Sequence, residues 1–175
     1  MPNTLQSILN NPTISRIRRN HGLEHATIHM MSRRHPNSTF IGRSDWRGFF
    51  FYGNVSTQEL EEAVDEALAR LRQGESRLAL HANCGTNFLT TAVLVASASF
   101  LALMGTGKDE RPGDRMLRLP LAIVAAVFAL ILSQPLGAML QKNLTTSSDP
   151  GSLEVISIRR ITSGRPTIHR ILTHD

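Results

Sequence analysis

The sequence predicts an α+β head domain carrying a two-helix transmembrane hairpin. Three observations predict it. Residues 87–107 and 119–141 hold no charged side chain. The chain outside those blocks is polar and basic, with 19 Lys and Arg against 14 Asp and Glu overall. That polar remainder also alternates between helical and strand periodicities. A wholly soluble single domain and a disordered chain are both disfavoured by this division.

The elements follow in order. Thr13 is placed to cap a helix running to about Arg33, ended by His35-Pro36. Residues 39–53 read as two strands, rich in aromatics at Phe49-Phe50-Phe51-Tyr52, with a turn near Ser44-Asp45. Ser56-Thr57-Gln58-Glu59 is a capping box that opens an amphipathic helix to about Gln73, with Gly74 as its stop. The first apolar block, residues 88–104, has 17 residues, which at ~1.5 Å per residue spans a thin hydrocarbon core. A turn-rich loop of mixed charge, 105–118, leads to the second block, 119–140. Residues 153–162 and 167–173 alternate as strands, joined through Ser163-Gly164-Arg165-Pro166. The expected organisation is a cytoplasmic α+β region over 1–86, a transmembrane hairpin over 87–141, and a tail over 142–175 whose strands complete the head's sheet.

Lys and Arg number ten before Asn87, four in the loop between the blocks and five after them. Basic residues favour the cytoplasmic side, so both termini are expected there, in a bacterial inner membrane. Charge-free spans imply an anchor rather than a proton or ion path. Residues 1–19 lack the apolar core of a secretory signal, so no cleavage is expected. One cysteine, Cys84, excludes an intrachain disulfide. The basic residues are dispersed, so no nucleic-acid partner is expected. The expected partners are the lipid bilayer and a protein or peptide substrate.

The sharpest motif is His21-Gly22-Leu23-Glu24-His25, the pattern H-x-x-E-H. On a helix, His21 and His25 share one face and can reach one metal ion, while Glu24 lies beside them. At ~100° per residue, Ile14, Ile17, His21, His25 and Ile28 form one stripe, with Glu24 and His29 flanking it on opposite sides. The histidines therefore point into the protein, where the competing reading is a pair of satisfied core residues. A second cluster is His81-Ala82-Asn83-Cys84-Gly85-Thr86-Asn87. His81 and Cys84, three apart on a turn, can chelate one ion, and a helix beginning there lowers the thiol's pKa. Thr86 or Asn87 is expected to cap that helix. His35, His169 and His174 are expected at the surface.

With these residues in place, the chain resembles a bacterial family of uncharacterised integral membrane proteins described as predicted metal-dependent enzymes. Its members carry H-G-x-E-H, then H-x-x-C-G-T-x-F at the edge of an apolar span. His21, Glu24, His25, His81, Cys84, Gly85 and Thr86 match that pattern position by position. Ala26 and Asn87 depart from it, where a basic residue and a serine are usual. The resemblance implies a shared metal site and no particular substrate.

Ligand counting separates the functional readings. His21, His25 and either His81 or Cys84 leave one position open for water, as in catalytic zinc sites; Glu24 is then a general base. If His81 and Cys84 both ligate, the site closes and Glu24 steadies a histidine. Imidazole and thiolate donors favour Zn2+. The first reading is a membrane-anchored zinc-dependent hydrolase of a peptide or other amide bond. The alternative is a non-enzymatic membrane scaffold or assembly protein with a structural zinc; haem ligation by two histidines is a third.

Overall fold

The structure is a computed structural model that describes residues 4–104, 116–162 and 164–175. The chain divides into two compact units, one of residues 1–81 with 142–175 and the other of residues 82–141. The turn-rich loop expected over 105–118 lies mostly outside the described residues, as does Ser163 of the last connection.

The first unit holds helices α1 (Thr4–Leu9), α2 (Pro12–Arg34) and α3 (Thr57–Arg72) and strands β1 (Ile41–Asp45), β2 (Gly48–Tyr52), β3 (Glu154–Thr162) and β4 (Ile168–His174). A single turn of tighter helix, Ser76–Ala79, follows α3. The short α1 has no counterpart in the sequence reading. The start of α2 is set one turn-fraction earlier than Thr13 suggested. Asn11 caps it by accepting the Thr13 N–H at 3.0 Å, and Pro12 takes the first helical position, where a missing N–H costs nothing. Helix α3 has its full capping box, Ser56 with Glu59. It ends with Gly74 at φ +88°, where the Glu75 N–H reaches the Arg70 carbonyl at 3.1 Å and the Gly74 N–H that of Leu71 at 2.9 Å. Those two bonds satisfy carbonyls the helix itself leaves open.

The sheet is antiparallel throughout in the order β1-β2-β4-β3, so strands from before and after the apolar blocks share it. The β1–β2 turn is closed by the Asp45 carboxylate, which accepts the Arg47 N–H at 2.7 Å. Gly48 follows at φ +139°, and a Cβ there would lie 2.1 Å from the Ile171 carbonyl oxygen. Alternation sends Phe49 and Phe51 of β2 and His169 and Ile171 of β4 to the same face, all fully buried. Helices α2 and α3 pack on that face through Leu23, Met30, Leu60 and Val64. His169 is thereby a core residue, not the surface residue expected. It shares a rung with Phe51, and the alternation of Thr167, His169, Ile171 and Thr173, all buried, carries it inward.

The second unit holds α4 (Gly85–Leu103) and α5 (Leu119–Leu140), both long and apolar enough to cross a membrane. Cys84 caps α4, its Sγ accepting the Thr86 N–H at 3.4 Å, in place of the Thr86 or Asn87 cap expected. The two helices touch through small and polar groups. Thr91 and Ser133 share a hydrogen bond of 2.7 Å, and Gln141 Nε2 donates to Asn87 Oδ1 at 2.6 Å. Asn87 also occupies the place a Cβ would take on Gly137, so the glycine is what lets it in. The chain then runs on from α5 through one wider turn, Gln141–Thr145.

Candidate metal centre

Helix α2 brings three histidines to one edge of the first unit, spaced four apart, and each ring is fixed by a main-chain carbonyl. His21 Nδ1 lies 2.9 Å from the Thr145 oxygen, His25 Nδ1 2.8 Å from that of Ala79, and His29 Nε2 2.8 Å from that of Leu80. A carbonyl only accepts, so each of these ring nitrogens carries the proton. In the neutral rings the opposite nitrogens, Nε2 of His21 and His25 and Nδ1 of His29, then hold lone pairs. Orienting one ring nitrogen to expose the other is how ligating histidines are held in metal sites.

The carbonyls are delivered by two short segments. The helical turn Ser76–Ala79 and Leu80 after it present the acceptors for His25 and His29, and bring His81 with them. The His81 ring stands 5.7 Å from that of His25 and 5.2 Å from that of His29, centroid to centroid, and the His21 and His25 rings are 4.4 Å apart. The segment carrying Thr145 is laid along α2 by Arg18. Its guanidinium donates to the Asn143 and Thr146 carbonyls at 3.2 and 3.1 Å, and its own carbonyl accepts the Ser147 N–H at 2.9 Å. Gly22 permits this approach, since a Cβ there would lie 2.0 Å from the Ser147 oxygen. The glycine of the H-G-x-E-H motif is thus a packing requirement.

Glu24 faces the other way, toward β1, and is buried. The Ser44 hydroxyl donates to its carboxylate, and Gly42 leaves room for it: a Cβ on Gly42 would lie 2.2 Å from Glu24 Oε1. Burial pushes the Glu24 carboxyl above the usual carboxylate range, while the Ser44 bond and the charge of His21 pull it partly back. Burial, with the charges of His25 and His29 adding to it, pushes His81 down to about 4. Below it in the helix, Asn20 is fully buried and satisfied, donating to the Asp45 carbonyl at 2.9 Å and accepting from Thr173 Oγ1 at 2.7 Å. That pair ties α2 to the ends of both β1 and β4, and so fixes the height of the motif against the sheet.

Of the residues singled out in the sequence, His21, Glu24, His25 and His81 lie in the first unit, with the three rings gathered at one edge. Cys84 opens the second unit, three residues along the chain from His81. His29 joins the ring cluster as a flanking member. Ser44 and the carbonyls of Ala79, Leu80 and Thr145 were not legible in the sequence, which put Ser44-Asp45 at the turn; both lie within β1, and the turn falls at Trp46-Arg47. His35 stays half-buried at the end of α2, 3.4 Å from a Glu59 carboxylate oxygen, and His174 is exposed as expected.

Comparison with known proteins adds a family but no activity. Residues 16–158 match the family described as a domain of unknown function (DUF6391). An uncharacterised protein of Picosynechococcus sp. (strain ATCC 27264 / PCC 7002 / PR-6) is 33% identical over 161 residues, covering 86% of this chain and 76% of that protein. No solved structure matches. The matched span takes in both motifs, both apolar helices, β1, β2 and the first part of β3, so the chain belongs to the DUF6391 family, whose function is unknown.

Proposed function

We propose that this chain is a membrane-anchored, zinc-dependent hydrolase of a peptide or other amide bond, with one ion held by His21 and His25 of the H-x-x-E-H helix and by Cys84 or His81 of the H-x-x-C turn. The observation that carries it is the orientation of the His21 and His25 rings, four residues apart on α2, by main-chain carbonyls on their Nδ1 atoms, as ligating histidines are held. Two imidazoles and a thiolate suit zinc, and three protein donors leave a fourth position for water. His81, beside His25, is the alternative third ligand, and a fourth if the site is closed. When bound, the ion supplies Lewis acidity and makes a coordinated water more acidic. Glu24 would serve as the proton carrier, taking a proton from the attacking water and passing it to the leaving nitrogen, once its carboxylate turned from Ser44 toward the histidines. Its burial supports this, because a carboxyl raised above the usual carboxylate range is the better proton carrier.

The membrane part of the reading is supported by what α4 and α5 leave uncovered. Phe88 and Leu101 of α4, and Phe128 and Leu132 of α5, are all more than 60% exposed. Large apolar surface of this kind marks a lipid contact. The two helices form a transmembrane hairpin, with both termini and the histidine-bearing head on the cytoplasmic side of a bacterial inner membrane.

The test is metal content by elemental mass spectrometry on detergent-purified protein, with amide hydrolysis measured alongside. About one zinc per chain is expected in the unaltered protein and in Glu24→Gln, and its loss in His25→Ala and in Cys84→Ala. Glu24→Gln should keep the metal and lose hydrolysis. Retention of the metal in Cys84→Ala would hand the third position to His81. A fold that melts outright when the metal is removed, with no hydrolysis at any stage, would favour the structural-zinc scaffold instead.

A further inference from the structure

We propose that a cavity in the first unit, lined in part by the turn that holds His25 and His29, binds a phosphate group, supplied by the headgroup of an anionic phospholipid. The cavity has a volume of about 290 Å³ and is lined by Ser76, Arg77, Ala79, Leu80, Lys142, Thr146 and Ser148. Two cations and no acidic residue line it. Arg77 and Lys142 are exposed, and among the described residues neither forms an ion pair, so their charges are not already matched. Ser76 and Ser148, which also line it, add two hydroxyl donors. A guanidinium, an ammonium and hydroxyls converging without an acid is the donor set a phosphate takes.

The neighbouring cavities lack this composition. One of about 420 Å³ shares Ser76 and Ser148, but it contains Asp149, and its Arg72 already donates to the Leu153 carbonyl at 3.0 Å. Another, also of about 420 Å³, shares Lys142, but its Arg18 is spent on the carbonyls of the 143–146 segment. Of these three cavities, the one between Arg77 and Lys142 has two uncommitted cations around one space.

Lys142 follows α5 by two residues. A cation at the end of an apolar helix lies at the level of lipid headgroups, and each basic residue there gains about 1 kcal/mol from an anionic leaflet. This choice of a lipid over a free phosphate rests on the membrane reading above, whereas the phosphate site itself does not. Ala79 and Leu80 line the cavity while their carbonyls hold the His25 and His29 rings. A ligand seated there therefore presses on the same turn that orients the candidate metal centre.

The experiment uses the full chain in detergent and titrates short-chain phosphatidylglycerol, short-chain phosphatidylcholine and inorganic phosphate by calorimetry. Phosphatidylglycerol should bind about tenfold or more tightly than phosphatidylcholine. The double variant R77Q/K142Q should lose about tenfold or more of that affinity, Lys142→Arg should keep it, and Arg159→Gln on the exposed face of β3 should leave it unchanged. Far-ultraviolet circular dichroism of each variant checks that the fold is retained. Inorganic phosphate binding as tightly as the lipid, with the same loss in the double variant, would keep the phosphate site and overturn the lipid as its source. Equal binding of phosphatidylglycerol by the double variant and the unaltered chain, or no binding of either anion, would overturn the proposal.

Discussion

Helices α2 and α5 are nearly equal in length, at 23 and 22 residues, and opposite in what they bury. Helix α2 turns Asn20, Glu24, His25 and Thr27 inward, so its buried face is studded with polar groups. Helix α5 buries only Ala122, Ala129, Ser133 and Gly137, and leaves Ile123, Phe128, Ile131 and Leu132 in the open. In water the second arrangement would be a liability, and the first would be a cost without a use. Each makes sense against a different surrounding. On α2, Asn20, Glu24, His25 and Thr27 each meet a carbonyl or hydroxyl partner, which is one requirement for a site. The small residues of α5 fall on one narrow stripe, which lets a neighbouring helix approach closely while the large side chains stay exposed, as they would against lipid.

The largest effect should come from breaking α5's half of this contrast. Ile131 is 61% exposed and lies near the middle of the helix. On a water-facing helix, Ile131→Arg would change stability by about 0.5 kcal/mol or less. In hydrocarbon, a central arginine costs about 2.5–3.5 kcal/mol of insertion free energy. The amount of chain recovered in carbonate-washed membranes should therefore fall severalfold, while a matching Glu61→Arg on the exposed face of α3 leaves it unchanged. An Ile131→Arg protein recovered at full level would count against α5 as a span.

A middle-sized effect should come from α2. Ser44→Ala removes the hydroxyl that donates to the buried Glu24 carboxylate. An unmet buried acceptor costs about 1–3 kcal/mol. For a chain of this size each kcal/mol lowers the melting temperature by about 2–4 °C. Because the Ser44 bond holds the Glu24 carboxyl down, its loss should also move any pH-rate limb that Glu24 controls upward. A melting temperature unmoved by Ser44→Ala would mean that Glu24 is satisfied by other groups.

These two helices also show what a sequence can and cannot disclose. The extents of α2, α3 and α5 were readable to within a few residues, because apolar spacing, the Ser56–Glu59 capping box and the absence of charge are local signals. The alternation in residues 153–162 and 167–173 gave both late strands, and the His21–His25 spacing gave the shared face. What escaped was set by partners far along the chain. Ser44 reaches Glu24 only because β1 lies against α2, and the acceptors at Ala79, Leu80 and Thr145 are main-chain oxygens that no side chain advertises. His169 was misplaced although its strand was found, since the face of β4 that turns inward is decided by its pairing with Phe51. The cap at Cys84 was missed because a thiol is an unusual acceptor there, and Asn11-Pro12 was passed over for the more conventional Thr13.

The smallest effect expected is a pH dependence of the α2 cluster, and its sign is fixed by the direction of one shift. His81 titrates near 6.5 in the unfolded chain and is pushed down to about 4 when folded. Between those values the unfolded chain binds more protons, so stability rises with pH through this window. The contribution is fully present above pH 6.5 and is lost as pH falls toward 4. Glu24 works in the opposite sense: its raised carboxyl makes the folded chain bind the extra proton, so acid relieves its burial. Two opposed groups flatten the net profile, which is why the effect is small and why a single curve would not reveal it. A comparison does. Melting temperatures of chelator-treated protein followed from pH 4 to 6.5 should climb less steeply in His81→Gln than in the unaltered chain, because the glutamine cannot take the proton. Equal slopes would place the His81 ring in water in the folded chain, and would remove it from the buried edge that His25 and His29 share.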